Sequence, residues 1–238
     1  YNVYTLDRWY SQSAISPNKY AVQQNAGSVT PPAGFKNYLG ITSNSAYTVG
    51  SGDYFNIQQR IEGYNLADMD FGTANAKSFT ISFWVRSSLT GSFGISVLND
   101  GESRSYQALY TISSANTWEY KTITIAGDTT GTWNTTTGSG LKVAFIIGAG
   151  TTWSGNPGAW SGNGYLGVTG AQSLVGTNGA TLYITGVQLE KGSVATPFEQ
   201  RQYGQELALC QRYFIKYGGT YVSELIGVGN GLDTTNVI

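Results

Sequence analysis

Apolar residues in this chain recur at every second position, segment after segment, and that periodicity confines it to β-structure. In residues 54–64, Phe55, Ile57, Gln59 and Ile61 share one face, while Asn56, Gln58, Arg60 and Glu62 share the other. In residues 78–88, Phe79, Ile81, Phe83 and Val85 point one way, and Thr80, Ser82, Trp84 and Arg86 the other. Phe93, Ile95 and Val97 alternate in the next segment, and Leu141, Val143, Phe145 and Ile147 make one apolar face of residues 141–148. Residues 105–112, 117–127 and 181–190 complete the series. Period two sends one face of each strand to a core and the other outward. Asn99-Asp100-Gly101, Gly127-Asp128 and Asn178-Gly179 supply turns between strands. Short strands with turns at this spacing predict an all-β sandwich.

Three departures from the alternation are informative. Leu182 and Ile184 share a face, but Val187 and Leu189 are the next apolar pair, so a one-residue shift at Gly186 predicts a β-bulge. Residues 65–71 (NLADMDF) read as about two helical turns with Asn65 as N-cap. Residues 203–214 place Leu207, Cys210 and Phe214 at helical spacing after Pro197. Residues 12–52 are rich in Ser, Asn, Gly and Pro, with a short apolar strand at 35–41. Residues 150–179 form a long Gly/Ser/Asn/Thr segment carrying Trp153, Trp160 and Tyr165; loops of that length are functional or disordered. Residues 213–238 read as strand, Gly turn, strand, Gly turn, the start of a second β unit without its partner. The expected organisation is one module over residues 1–200, then a short helix and a partial β unit over 201–238. Because the chain starts at Tyr1, it is expected to be a processed product or part of a longer protein.

Composition excludes several chemistries. With no histidine there is no Ser-His-Asp triad, no Cys-His dyad and no His-ligated metal. A single Cys excludes an intrachain disulfide framework. Lys and Arg number 13 against 14 Asp and Glu, a balance that argues against electrostatic nucleic-acid binding. No run of about 18 apolar residues and no leader pattern is present, so membrane insertion is not expected.

The strand series, with SFTISFWVRSS, NTWEYKTITIAGD, LKVAFIIGAG and ATLYITGVQLEKG in order, resembles a jelly-roll β-sandwich of the galactose-binding-like type used as carbohydrate-binding modules. The flanks TLDRWY, QQRIEGYNLADMDFGTANAKSF and GVQLEKGSVATPFEQRQYGQELALCQRYF resemble bacteriophage virion proteins, chiefly tail-fibre-like and other surface structural proteins. The resemblance covers about residues 4–217. It implies a jelly roll with short helical elements and a partial C-terminal β unit. It also implies a strand ahead of the Asp7-Arg8-Trp9 motif, for which only three residues precede Tyr4; that strand is expected to be missing or elsewhere. Such jelly rolls often hold a structural calcium between the first and last strands. Glu190 matches the last-strand ligand, whereas the first-strand ligand has no match.

Candidate site residues follow from sugar chemistry. Pyranose C–H faces stack on aromatic rings, and hydroxyls need planar polar partners. Trp153, Asn156, Trp160, Asn163 and Tyr165 supply both in one segment; the alternatives are that these aromatics fold back onto the sandwich edge or pack against a neighbouring subunit. Trp84 and Arg86 share the face opposite Phe83 and would line a groove, joined by Trp118 and Tyr120. The alternative is that Trp84 is buried beneath the 65–71 helix. Asp68, Asp70, Asp100 and Glu102 read as solvated turn or cap residues, the last two as a weak calcium loop. The Asp7-Arg8-Trp9 motif reads as structural, and Cys210 as a buried apolar thiol.

The function these readings imply is adhesive rather than catalytic. The chain would be a homo-oligomeric tail-fibre or surface module on the virion exterior, a trimer by preference, touching host-surface glycans and other virion proteins. The rival is a purely structural capsid decoration or fibre connector, and a capsule depolymerase is a third reading. No cofactor is expected beyond the structural calcium.

Overall fold

A computed structural model describes residues 2–6, 8–15 and 19–211. The second β unit expected over residues 213–238, Phe214 of the expected helix and Asp7 of the Asp-Arg-Trp motif lie outside the described residues. Residues 1–198 form one compact unit and residues 199–238 another.

The first unit is an antiparallel β-sandwich. Its seven-stranded sheet contains β1 (Asn2–Tyr4), β2 (Trp9–Ser13), β5 (Tyr54–Glu62), β7 (Gly91–Asn99), β8 (Ser105–Ile112), β10 (Ser139–Ala149) and β12 (Trp160–Ser161). Their spatial order is β1-β2-β5-β10-β7-β8-β12. The five-stranded sheet contains β3 (Tyr20–Gln24), β4 (Leu39–Ser43), β6 (Phe79–Ser87), β9 (Glu119–Ile125) and β14 (Thr181–Lys191). Here the order is β3-β4-β14-β6-β9. The remaining strands, β11 (Ser154–Gly155) and β13 (Gly167–Val168), form a small parallel pair.

The alternation sorts the side chains as the sequence predicts. Phe55, Ile57, Phe79, Ile81, Phe83, Val85, Phe93, Ile95, Leu141, Phe145 and Ile147 lie fully buried in one cluster between the sheets. Phe83 and Phe145 meet edge to face across the sheets at 5.1 Å, a geometry favoured by the ring quadrupoles. The phase break in the last strand is a β-bulge: the pairing of β14 with β6 shifts between Thr185 and Gln188, and Gly186 takes a φ of +60°. A Cβ there would also stand 2.5 Å from the Phe35 ring, so glycine is required on two counts.

Three expectations are corrected. A strand does precede the Asp-Arg-Trp motif: β1 pairs with β2, Tyr4 opposite Tyr10. The element expected at 65–71 is a 3-10 helix, Gly63–Met69, entered from Glu62 rather than capped by Asn65. It starts earlier because Gly63 and Tyr64 donate backbone hydrogen bonds to Gly138 and Thr136, anchoring the turn to the loop before β10. In the second unit, α1 (Tyr203–Gln211) forms where expected, but none of its residues is buried and Cys210 is only partly covered.

Candidate functional site

The outward face of the five-stranded sheet carries an aromatic platform. Trp84 on β6 sits directly opposite Tyr120 on β9, and their ring centroids lie 5.4 Å apart. Trp84 is half-buried and Tyr120 is 44% exposed. Thr122 and Thr124 stand exposed beside them on β9, and Thr185 faces Trp84 from β14. Arg86 lies one pleat along from Trp84; its Nη1 donates to the Asn116 carbonyl, and its buried Nε has no partner. The structure therefore brings together Trp84, Arg86 and Tyr120, as the strand phase predicts. The 3-10 helix Gly63–Met69 packs on β5 and β10 of the other sheet.

Further along the same face, residues 26–38 fold over the sheet. Tyr38 packs against Tyr183 and Trp118 at 5.1 and 5.7 Å, its hydroxyl donates to the Ala26 carbonyl, and Trp118 donates to the Thr30 carbonyl. Trp118 thus staples this turn down and is half-buried, as Trp84 is. The close approach of Ala26 to Gly40, where a Cβ would stand 2.6 Å from the alanine methyl, fixes the turn's position.

Within residues 150–179, Trp153, Leu166 and Val168 lie on the outward face of the seven-stranded sheet, Trp160 pairs with β8 at its edge, and Leu174 and Val175 enter the core between the sheets. Strand side chains tie the segment down: Ser96 Oγ donates to the Tyr165 carbonyl, Ser105 Oγ to the Asn163 carbonyl, and Gln107 Nε2 to Ser96 and Tyr165. Leu166 and Val168 pack on Leu98, Ala144 and Ile146 beneath them. Trp153 lies edge-on to Tyr54 and donates to the Gly52 carbonyl. Trp160 packs into a cluster with Tyr106, Trp133 and Phe71 and donates to the Ala126 carbonyl. Asn156 and Asn163 are exposed, and Tyr165 is half-buried with its hydroxyl near Asn163. The two tryptophans engage the body of the sandwich through both ring and N–H.

The acidic side chains are spoken for by neighbours. Glu190 accepts hydrogen bonds from the backbone N–H and hydroxyl of Thr196, which closes the turn after β14. Burial pushes its carboxyl up, but Thr196 and Gln188 outweigh that and hold it below the ordinary range. At Asp100–Glu102 the buried Lys142 ammonium donates to the Asp100 carbonyl and to Glu102 Oε1 at 2.9 Å. A cation already fills that turn. Asp68 pairs with Lys191. Among the described residues there is no group of three or more Asp, Glu, Cys or His placed to hold a metal.

One feature escaped the sequence reading. A cleft of about 400 Å³ opens at the edge of the sandwich where β2, β3 and β4 meet the bulge of β14. Trp9, Tyr38 and Phe198 line it together with Gln24, Gln59 and Asn37. Two of these amides were legible as anomalies, because Gln24 and Gln59 occupy the core phase of their strands, in line with Val22 and Ile57.

No protein-family model and no curated protein sequence matches this chain. Among solved structures it is similar to the family 11 carbohydrate-binding module of Clostridium thermocellum, solved with a mixed-linked tetrasaccharide (11% identity, TM-score 0.40, 81% of this chain and 92% of that one). It is similar also to the N-terminal cellulose-binding domain of Cellulomonas fimi β-1,4-glucanase C (13%, TM-score 0.33, 77% and 96%). A third similarity is to the enzymatically active domain of bacteriophage CBA120 tailspike protein 4 (13%, TM-score 0.44). It covers 79% of this chain and 20% of the tailspike chain. At these TM-scores the likenesses carry no functional weight. The class rests on the two antiparallel sheets themselves: this is an all-β sandwich with few short helices.

Proposed function

We propose that this chain is a non-enzymatic adhesion module of a bacteriophage virion surface, a tail fibre or related exterior protein, which holds a glycan on the outward face of its five-stranded sheet. The observation that carries the reading is the Trp84–Tyr120 pair, an aromatic platform on a regular sheet with Arg86 and the exposed Thr122 beside it. A stacked sugar ring on such a platform would find hydroxyl and guanidinium partners at its rim. The phage assignment is supported by the long flanking motifs at residues 5–10, 58–79 and 186–214. On the opposite face Asn156, Asn163 and Tyr165 offer further polar contacts to a glycan or a neighbouring virion protein. Display as a homotrimer would raise a weak single-site affinity by about 10²–10⁴.

A glycan array probed with the purified chain tests this. Retention on neutral or mixed host-surface glycans, lost in Trp84→Ala and Tyr120→Ala, is the expected result. Absence of binding to every glycan by the assembled oligomer overturns it and favours the purely structural role.

A further inference from the structure

We propose that the glycan on the Trp84–Tyr120 platform is an acidic one, with a neutral ring stacked on the aromatic pair and the carboxylate of the next sugar seated on Arg86. The inference rests on the glycan-binding reading and names the substrate class within it.

Arg86 is a cation without a counter-charge. Most of the described lysines and arginines are matched within the fold. Lys77, Arg104, Lys121, Lys142, Lys191 and Arg201 face carboxylates, and Lys19 and Arg60 lie over tyrosine rings. Arg86 faces neither. Its Nη1 donates to the Asn116 carbonyl, and its Nε has no acceptor. A guanidinium carries five N–H donors, so most of this one is unused. The side chain is half-buried, where a charge has lost part of its hydration and gains from an anion placed on it.

A second unmatched cation borders the same face. The exposed Lys36 meets no acid or ring among the described residues. It stands between Phe35, whose ring lies over Gly186, and Asn37, whose carbonyl accepts from Thr185, the cross-strand partner of Trp84.

Carboxylates are scarce around them. Residues 26–38, which fold over one side of the platform, and residues 113–118, which lead into β9, contain no Asp or Glu. Glu119 stands opposite Val85, in the core phase, and pairs with Lys121. The outward carboxylate of these strands is Glu190, opposite Thr80 at the far end of β6 from Arg86, and Thr196 already holds it. The platform is therefore a positive patch on a chain of net charge −1, and its electrostatic complement is an anion.

The spacing suits a sugar chain. Trp84 and Arg86 are neighbours on one face of β6, about 6.6 Å apart along the strand, close to the step from one pyranose to the next. The planar fork of an arginine matches a carboxylate with two parallel N–H bonds.

The test is a glycan array of matched sets probed with the full chain. Each uronate- or sialate-bearing oligosaccharide stands beside its counterpart with the carboxyl group reduced to an alcohol, and beside a sulfated form of that counterpart. The acidic member is expected to bind about tenfold or more tighter than the reduced one, and the ratio to fall to about twofold or less in Arg86→Gln. Arg86→Lys, which keeps the charge and loses the fork, should retain part of the ratio. Lys36→Gln, at an exposed position, should lower it as well, and carries the test if thermal melts show that the Arg86 variants do not fold. Raising NaCl from about 0.05 to 0.5 M should shrink the ratio. Equal affinity within every set overturns the acidic class and spares the platform. A ratio unchanged in both Arg86→Gln and Lys36→Gln overturns the assignment of the charge to these residues. A sulfated counterpart that binds as tightly as the carboxylate overturns carboxylate recognition. Silence of the whole array overturns the glycan reading itself.

Discussion

The rings of Trp84 and Tyr120 meet across β6 and β9 at 5.4 Å and a tilt of 48°, on the face that points away from the core. Trp160, by contrast, is wedged among Phe71, Tyr106 and Trp133. Truncating the two tryptophans should therefore separate binding from stability. Trp84→Ala is expected to cost about 1 kcal/mol of stability, the scale of one aromatic pair. Trp160→Ala is expected to cost about 3–5 kcal/mol, because it empties a packed cluster. Urea denaturation of both variants measures the difference, and equal losses would contradict the assignment of Trp84 to the open face.

Arg104 grips Asp128 with two bonds, Nε to Oδ2 at 2.6 Å and Nη2 to Oδ1 at 2.7 Å, and Asp128 is 1% exposed. Asp128 also holds Thr130 through its N–H and hydroxyl. Removing one partner strands a charge where water does not reach it. Arg104→Leu is expected to destabilise the fold by about 3 kcal/mol, and the double variant Arg104→Leu/Asp128→Leu by less than the sum of the single ones.

Gly186→Ala combines a left-handed backbone with a Cβ pressed on the Phe35 ring. A loss of about 1–3 kcal/mol is expected. Ala at exposed Gly52, which has ordinary φ and open space, should be neutral within about 0.5 kcal/mol. Thermal melts of the pair read the contrast.

The Tyr110 hydroxyl is buried without a partner between the sheets, and burial pushes its ionisation far above the ordinary phenol value. Tyr110→Phe removes the unsatisfied group and keeps the edge contact with Phe83. It should be neutral or stabilise by about 1 kcal/mol. Alkaline titration should find Tyr20, raised to about 12 by burial against the hydrogen bond of Ser11, ionising late as well.

Without histidine, no side chain has an ordinary pKa between pH 5 and 8, so stability should be nearly flat across that window. Below it, stability should fall. Burial raises the Glu119 carboxyl, but Lys121 and the N–H groups of Ser114 and Ser113 outweigh it and hold the group low. The Lys191 ammonium holds Asp68 low in the same way. A carboxylate depressed in the folded state stabilises above the ordinary carboxylate range, and that contribution is lost as pH falls through the folded value. Glu119→Gln should flatten part of the acid limb between about pH 5 and 3 in urea midpoints measured at each pH.

Much of the sandwich was legible because side-chain direction in a strand has a fixed period of two. Phe83 and Trp84 could be assigned to opposite faces from sequence position alone, and the bulge at Gly186 from one broken alternation. The residues around Trp153 and Trp160 were less legible, since a segment without period gives no direction for its side chains. Whether those rings would meet a sugar or the strands beneath depended on Ser96, Ser105 and Gln107, distant residues whose hydrogen bonds hold the segment down.

The sequence by itself determined the strand count of the central series, the inward faces and the absence of histidine-based chemistry, all of which are local properties of pattern and composition. Only the tertiary structure decided which outward faces stay open and where a cavity forms. Gln24 and Gln59 look like misplaced polar residues until the two sheets are packed face to face; they then line a cleft where β2 of one sheet and β3 of the other meet beside the Gly186 bulge of β14. Covering and opening are relations between elements remote in the chain, and their free energy is set by which surfaces meet, a quantity no single segment contains.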